Sequence, residues 1–316
     1  MQLIAIDTET TGVGWHDEAF MISVATDAFS KVYDKRLYKP HEDECWHDDI
    51  CEVSEMLYDC DKIIMHNAKF DIQKLVRWGV PMHYFTNIDT WDDTQALAHL
   101  LDEHRKTGLK GLASDVLGES TDEDEVLKKY RRVAGLKKED GYHKIPYEII
   151  GPYAEKDAEF TLRLYEEFSK DFPESMLDLY NMEKSLTLAL IEIENNGMRV
   201  DTEYVREKRR EYGDLIYSLR KDISSIAGDD FNPNSPKQIL DVLASRGVSV
   251  TATDKATLSA VEDDLARLIV EQREANKIKT TYFDAIWEEN VDGILHPHFR
   301  QHGTRTGRMS SGAVEA

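Results

Sequence analysis

Four carboxylates in three short motifs carry the chemistry this chain offers: Asp7 and Glu9 in IAIDTETTG, Asp71 in HNAKFD, and Asp157 in the YAEKD that begins at Tyr153. Carboxylates packed together raise one another's pKa and do not all ionise unaided, so their convergence calls for cations. Hard oxygen ligands suit Mg2+ or Mn2+. Two such ions about 4 Å apart stabilise the attacking and leaving oxygens of an in-line phosphoryl displacement. The chemistry indicated is that of a nuclease.

The elements around the motifs decide whether the groups can meet. Leu3, Ile4, Ala5 and Ile6 form a short apolar strand near the N-terminus. Asp7 and Glu9 are two apart on it and so share a face. Asn67 and Asp71 are four apart on a helix start, Tyr153 and Asp157 repeat that spacing, and each pair lies on one helical face. Taken singly, each motif has a plainer reading. DTE alone suits a solvated strand end, NxxFD a helix N-cap with a core Phe, and YxxxD is weaker still. The three in this order, each beside a fitting apolar segment, favour the metal site.

DxE on a first strand, NxxFD in the middle and YxxxD on a late helix resemble the three motifs of the RNase H-like 3'-5' exonucleases, in the subgroup with a tyrosine. The segment WDDTQALAHLLDEHRKTGLKGLASDVLG resembles the proofreading domain of family A DNA polymerases, where a DT-led helix is followed by LKxLA. Further on, MEKSLTLALIEIENNGMRVD, FNPNSPKQILDVLASRG, REANKIKTTYFDAI and GTRTGRMSS resemble the thumb region of that family in order. The resemblance implies an α/β fold: an RNase H-like mixed five-stranded sheet flanked by helices over 1–173, then a mostly helical thumb-like domain over 174–316. DFPE supplies the boundary, with a Pro after a helix.

Carried over residue by residue, the resemblance implies that Asp7, Glu9, Asp71 and Asp157 hold two divalent ions, Mg2+ or Mn2+. Tyr153 would orient or help deprotonate the attacking water beside an ion that lowers that water's pKa. It further implies DNA contacts at Thr10, Asn67 and Phe70, at Lys277, Lys279 and Tyr282 in a KxxxxY-type stretch, and at Arg305 and Arg308. The expected activity is 3'-5' exonucleolytic trimming of single-stranded DNA ends with release of nucleoside 5'-monophosphates, the proofreading half of a polymerase. Two alternatives stand beside it: a 3'-5' exoribonuclease, and a DNA-binding or assembly subunit of a split polymerase.

In the family, TGRxSS leads into a palm and fingers. Here the sequence runs only to Ala316, so polymerase activity is not expected from this chain alone. The helix carrying Leu186, Leu190 and Ile193 is expected to present an apolar face to a second polypeptide bearing palm and fingers, or to self-association.

Composition bounds these readings. A net charge of -22 argues against a nucleic-acid partner taken as a whole. The acid gathers in runs such as HEDE, STDEDE and EEFSKDFPE, however, while basic residues cluster at Arg206, Lys208, Arg209 and Arg210, at Lys277 and Lys279, and at Arg300, Arg305 and Arg308. No apolar run is long enough to span a membrane, and MQLIAID enters a strand without a basic flank, which points to the cytoplasm; a phage-encoded enzyme in its bacterial host would fit. Three cysteines, Cys45, Cys51 and Cys60, form no disulfide framework. His41, Cys45, His47 and Cys51 match no common zinc spacing. Residues 118–145 are expected to be a charged, irregular insert.

Overall fold

The computed structural model describes residues 1–38, 43–120, 122–137 and 140–312, with backbone alone for 43–47. It contains two compact units, one made of 1–196 with 297–316 and the other of 197–296.

The first unit is built on a five-stranded sheet. Strands β1 (Leu3–Thr10), β2 (Ala19–Ala25) and β3 (Ser30–Asp34) form an antiparallel meander. Helix α1 (Asp43–Asp59) leads to β4 (Lys62–Met65), and α2 (Ala68–Trp78) leads to β5 (Trp91–Asp93). The order is β3-β2-β1-β4-β5, with β1, β4 and β5 parallel. The mixed sheet expected from the sequence is thus present.

Strand parity assigns its two faces. Ile4 and Ile6 of β1 pack with Ile63, Met65, Ile72 and Leu75 on the α1 and α2 side. Ala5 and Ile64 face the other way, towards Ala158, Leu162 and Phe168. These last three belong to α6 (Tyr147–Lys170), which follows α3 (Thr94–Leu101), α4 (Leu109–Leu117) and α5 (Asp122–Val133). The small side chains of Ala5 and Ala158 let helix and strand approach closely.

Two sequence expectations change here, on α5 and on the apolar face of the helix carrying Leu186, Leu190 and Ile193. Residues 118–145 are not wholly irregular: α5 forms because Asp122, Glu123, Asp124 and Glu125 fill its first turn and Arg131 and Arg132 its last, complementing the helix dipole. Helix α7 (Leu177–Asn196) packs within the first compact unit. Lys184 explains this attachment, because its ammonium donates to Ile88 O and Asp92 Oδ1 at 2.8 and 3.1 Å, and the amide of Asp93 donates to the Tyr180 hydroxyl at 2.8 Å. Finally, the apolar face expected on α7 is only partly open. Leu190 is buried and Leu186 half-buried, while Ile193, Met182, Leu179 and Leu177 are exposed.

The second unit is mostly helical, as expected. It comprises β6 (Met198–Arg199), α8 (Thr202–Ala227), α9 (Pro236–Ser245), α10 (Lys255–Ser259), α11 (Asp264–Ile278), a π-helical turn over Lys279–Asp284, α12 (Ala285–Glu289), β7 (Asn290–Val291) and β8 (Ile294–Leu295). Its core joins Ile216, Leu219, Ile239, Leu243, Leu265 and Ile269. Ser235 caps α9 with Pro236 at the first helical position, and Gly247 takes a φ of 81° after its end. The chain then returns to the first unit as an antiparallel pair, β9 (Phe299–Arg300) with β10 (Ser310–Ser311).

Among the described residues, no helix is long and apolar enough to cross a membrane. His41 and the side chains of Cys45 and His47 lie outside the described residues; Cys51 and Cys60 are free thiols.

Candidate active site

The parity that sends Ala5 towards α6 sends Asp7 and Glu9 the same way. Each of Asp7, Glu9 and Asp157 offers a carboxylate oxygen within 4.8 Å of the others. A register shift between Glu9 and Thr10 interrupts the β1–β2 ladder at the site. Such bulges re-aim side chains where a strand ends its pairing.

Asp71 reaches the site from α2, on the opposite side of β1. Thr8, the even-numbered residue between the two strand carboxylates, donates its hydroxyl to Asp71 Oδ1 at 2.7 Å. The other oxygen, Oδ2, is buried with no hydrogen-bond partner among the described residues. Asp71 is not part of the three-carboxylate group, yet Asp7 is close enough to raise its pKa.

The start of α2 departs from the plain reading of NxxFD. Asn67 adopts a left-handed conformation, φ 69° and ψ 57°, and its side chain makes no cap. The cap comes from Asp93 at the end of β5, whose carboxylate accepts the amides of Asn67 and Ala68 at 3.0 and 2.9 Å. Phe70 is half-buried rather than core, with the Lys74 ammonium 5.3 Å from its ring centroid.

On α6, Tyr153 sits one turn before Asp157 and packs edge-on against Tyr142, ring centroids 6.0 Å apart. Lys110, near the start of α4, pairs with Asp157, its ammonium 3.9 Å from the Tyr153 ring centroid. Sequence reasoning gave Thr8, Asp93, Lys110 and Tyr142 no role. The DT that opens α3, whose aspartate is Asp93, and the LKxLA motif around Lys110 carried a sequence signal.

Burial sets the electrostatics. It raises Asp7 well above the usual carboxylate range, with Asp157 adding to the effect, and raises Glu9 likewise with help from Asp7. Burial also raises Asp71, with Asp7 adding to it. Asp157 is pushed up to about 6 by burial, against the lowering effect of Lys110. Tyr153 is pushed well above its ordinary value by burial and then by Asp157 and Glu9. Buried carboxylates that resist ionisation, one with an unpartnered oxygen, make a donor set fitted to hard divalent cations.

A family model described as 3'-5' exonuclease matches residues 1–173, which hold all four carboxylates and Tyr153. The chain belongs to the 3'-5' exonuclease family. A second model, DNA polymerase family A, matches residues 202–314 beyond the exonuclease region.

Relatives of the chain include DNA polymerases. The DNA polymerase DpoZ of Salmonella phage PMBT28 is 29% identical over 98% of the chain, which spans 52% of that protein. DNA polymerase I of Borreliella burgdorferi is 28% identical over 98% of the chain and 34% of its own length. The solved POL domain of Pol1 from M. smegmatis, in complex with DNA primer-template and dNTP, has the same fold with a TM-score of 0.68 at 20% identity, covering 98% of this chain and 50% of that one. The chain thus spans about half or less of the length of these relatives.

The remaining sequence candidates are dispersed. Thr10 is buried and donates to Gly12 O at 2.6 Å. Asn67 lines a pocket of about 280 Å3 with Lys69, Gln95, Thr107, His298 and His302. Burial lowers both histidines to about 4, so they stay neutral at physiological pH. Arg305 and Arg308 are exposed in the first unit. In the second unit Lys277 and Tyr282 are exposed, whereas Lys279 is bound to Asp284 at 2.7 Å, within the π-helical turn.

Proposed function

We propose that this chain is a metal-dependent 3'-5' exodeoxyribonuclease that trims single-stranded 3' ends to nucleoside 5'-monophosphates, the proofreading half of a family A type DNA polymerase. The observation that carries the reading is the meeting of Asp7, Glu9 and Asp157, with Asp71 beside Asp7 and its Oδ2 left without a partner. Asp7, Glu9 and Asp157 would hold one divalent ion, and Asp7 with Asp71 a second. When bound, two Mg2+ or Mn2+ ions would acidify water and neutralise charge on the phosphodiester.

The protein's own groups do the positioning. Tyr153, kept protonated by its burial, would hold the attacking water through its hydroxyl rather than as a tyrosinate. Thr8 would fix the rotamer of Asp71, and Asp93 the start of the helix that carries it. Thr10, Asn67 and Phe70 would line the path of the terminal nucleotides, with Phe70 offering a ring for stacking. Lys277, Lys279, Tyr282, Arg305 and Arg308 would hold phosphates of the duplex, contacts that position DNA without reading sequence. The exposed Leu177, Leu179, Met182 and Ile193 of α7 would dock on a palm-bearing polypeptide, and the cytoplasm would be the place of action.

The test is degradation of a 5'-labelled single-stranded DNA with Mg2+ or EDTA, using the wild type and Asp7→Ala. The expected result is a metal-dependent ladder shortening from the 3' end and lost in the variant. Full activity in Asp7→Ala would refute the site, and faster cleavage of an RNA oligomer would refute the DNA assignment.

A further inference from the structure

Lys110 is the group at the site that the metal chemistry leaves unexplained. Its ammonium is bonded to Oδ1 of Asp157, one of the three carboxylates that converge. An ion ligated by Asp157 and an ammonium bonded to it draw on the same carboxylate charge. Both cannot be fully satisfied, because the two cations repel at such range in a buried site.

The surroundings of Lys110 allow it to leave. Its side chain is 20% exposed, so a route to solvent exists, while Asp157 is 8% exposed and held within α6. Gly108 and Gly111 flank it, and neither has a neighbouring atom within 4 Å of where a Cβ would stand. The ammonium lies near two aromatic rings, 3.9 Å from the Tyr153 centroid and 5.4 Å from that of Phe160. Such faces accept a cation in more than one position along them.

Resting on the metal assignment above, we propose that Lys110 is a metal-displaceable counter-ion: it neutralises Asp157 in the metal-free protein and leaves that carboxylate when the divalent ion binds. Lys110 thereby sets the metal concentration at which the site loads. It acts through Asp157 and is a positioning residue. A purely structural Lys110–Asp157 bridge has the opposite signature, since its loss would misplace Asp157 and weaken metal binding.

The sign of the change in metal affinity tests this. Mn2+ binding to the whole chain without DNA is measured by electron paramagnetic resonance of the free ion, for wild type, Lys110→Met, Lys110→Arg and Asp7→Ala. Lys110→Met is expected to bind Mn2+ about tenfold tighter than wild type, and Lys110→Arg, which keeps the charge, no tighter than wild type. The thermal midpoint should follow, with a larger Mn2+-induced rise in Lys110→Met. Affinity unchanged or weaker in Lys110→Met, or tighter in Lys110→Arg, overturns the proposal while Asp7-dependent binding in the wild type leaves the metal site standing. Absence of any Asp7-dependent Mn2+ binding in the wild type overturns both.

Discussion

Asp93 at the end of β5 accepts the amide of Ala68 at 2.9 Å, so the helix that delivers Asp71 is anchored by a residue 25 positions away in sequence. The same carboxylate accepts the amides of Gln95 and Ala96 at 2.8 and 3.4 Å. One buried side chain therefore caps both α2 and α3.

Removing it should uncap two helix starts. Asp93→Ala is expected to lower stability by about 2–4 kcal/mol, the sum of two caps at roughly 1–2 each. Asp93→Asn, which keeps an acceptor, should lose less. Urea denaturation midpoints check both. Since Asp71 sits in the first turn of α2, exonuclease activity under native conditions should fall more in the alanine variant than in the asparagine one.

Thr8→Val removes the hydroxyl that orients Asp71 while keeping a β-branched residue on the strand. On the proposed role of Asp71 as a metal ligand, loss of the bond that orients it is expected to cost about 10–100-fold in metal affinity or activity. Thr8→Ser should retain most of the wild-type value. The measurement is the Mg2+ concentration that gives half-maximal cleavage, and equal values for Thr8→Val and wild type would remove Thr8 from the site.

In the metal-free protein, stability should fall as pH rises. The folded pKa of Asp157 is raised from 3.8 to about 6, so between these values the native state binds more protons than the unfolded chain. Stability conferred by the protonated acid is then full below about pH 4 and lost as pH rises through 6. For Asp157 alone this is of order 3 kcal/mol, and Asp7, Glu9 and Asp71 shift in the same direction. Thermal melts in EDTA from pH 4 to 8 should show the decline, apart from the opposite contributions of carboxylates elsewhere. Subtracting the same profile for Asp157→Asn isolates it, and saturating Mn2+ should abolish the difference.

What the sequence disclosed about the site was what local periodicity controls. Asp7 and Glu9 share a face because a strand repeats every two residues, and Asp157 follows Tyr153 by one helical turn. Both relations are fixed by backbone geometry alone. The partners of Asp93, Thr8 and Lys110 were not legible, because each acts across the fold on a group chosen by tertiary packing. The position of α7 was hidden for the same reason. Its amphipathic pattern marks a buried face but does not say which core receives it, and the answer depends on Lys184 finding Asp92 and the carbonyls beside it. Helix α5 was obscured by its many charges, which read as an irregular surface until their order along the helix dipole is considered.

Gly141 has no room for a side chain. A Cβ built there would stand 1.7 Å from the carbonyl oxygen of Thr11, the residue just beyond β1. The backbone φ at Gly141 is -63°, which any residue adopts, so the requirement is for space and not for a left-handed turn. Gly141→Ala must therefore push the 140–145 segment away from the end of β1, and with it Tyr142, whose ring meets Tyr153 at 6.0 Å. Overpacking of this kind costs about 1–3 kcal/mol. The catalytic effect should exceed what that destabilisation produces, because Tyr153 loses a wall while the protein stays folded. Tyr142→Phe separates the two effects: it keeps the ring and removes the hydroxyl, so near-wild-type cleavage there, with a large loss in Gly141→Ala, would place the function of Tyr142 in its packing. A Gly141→Ala variant with unchanged stability and rate would show that the segment has room to move and that the close approach to Thr11 has no part in holding Tyr153.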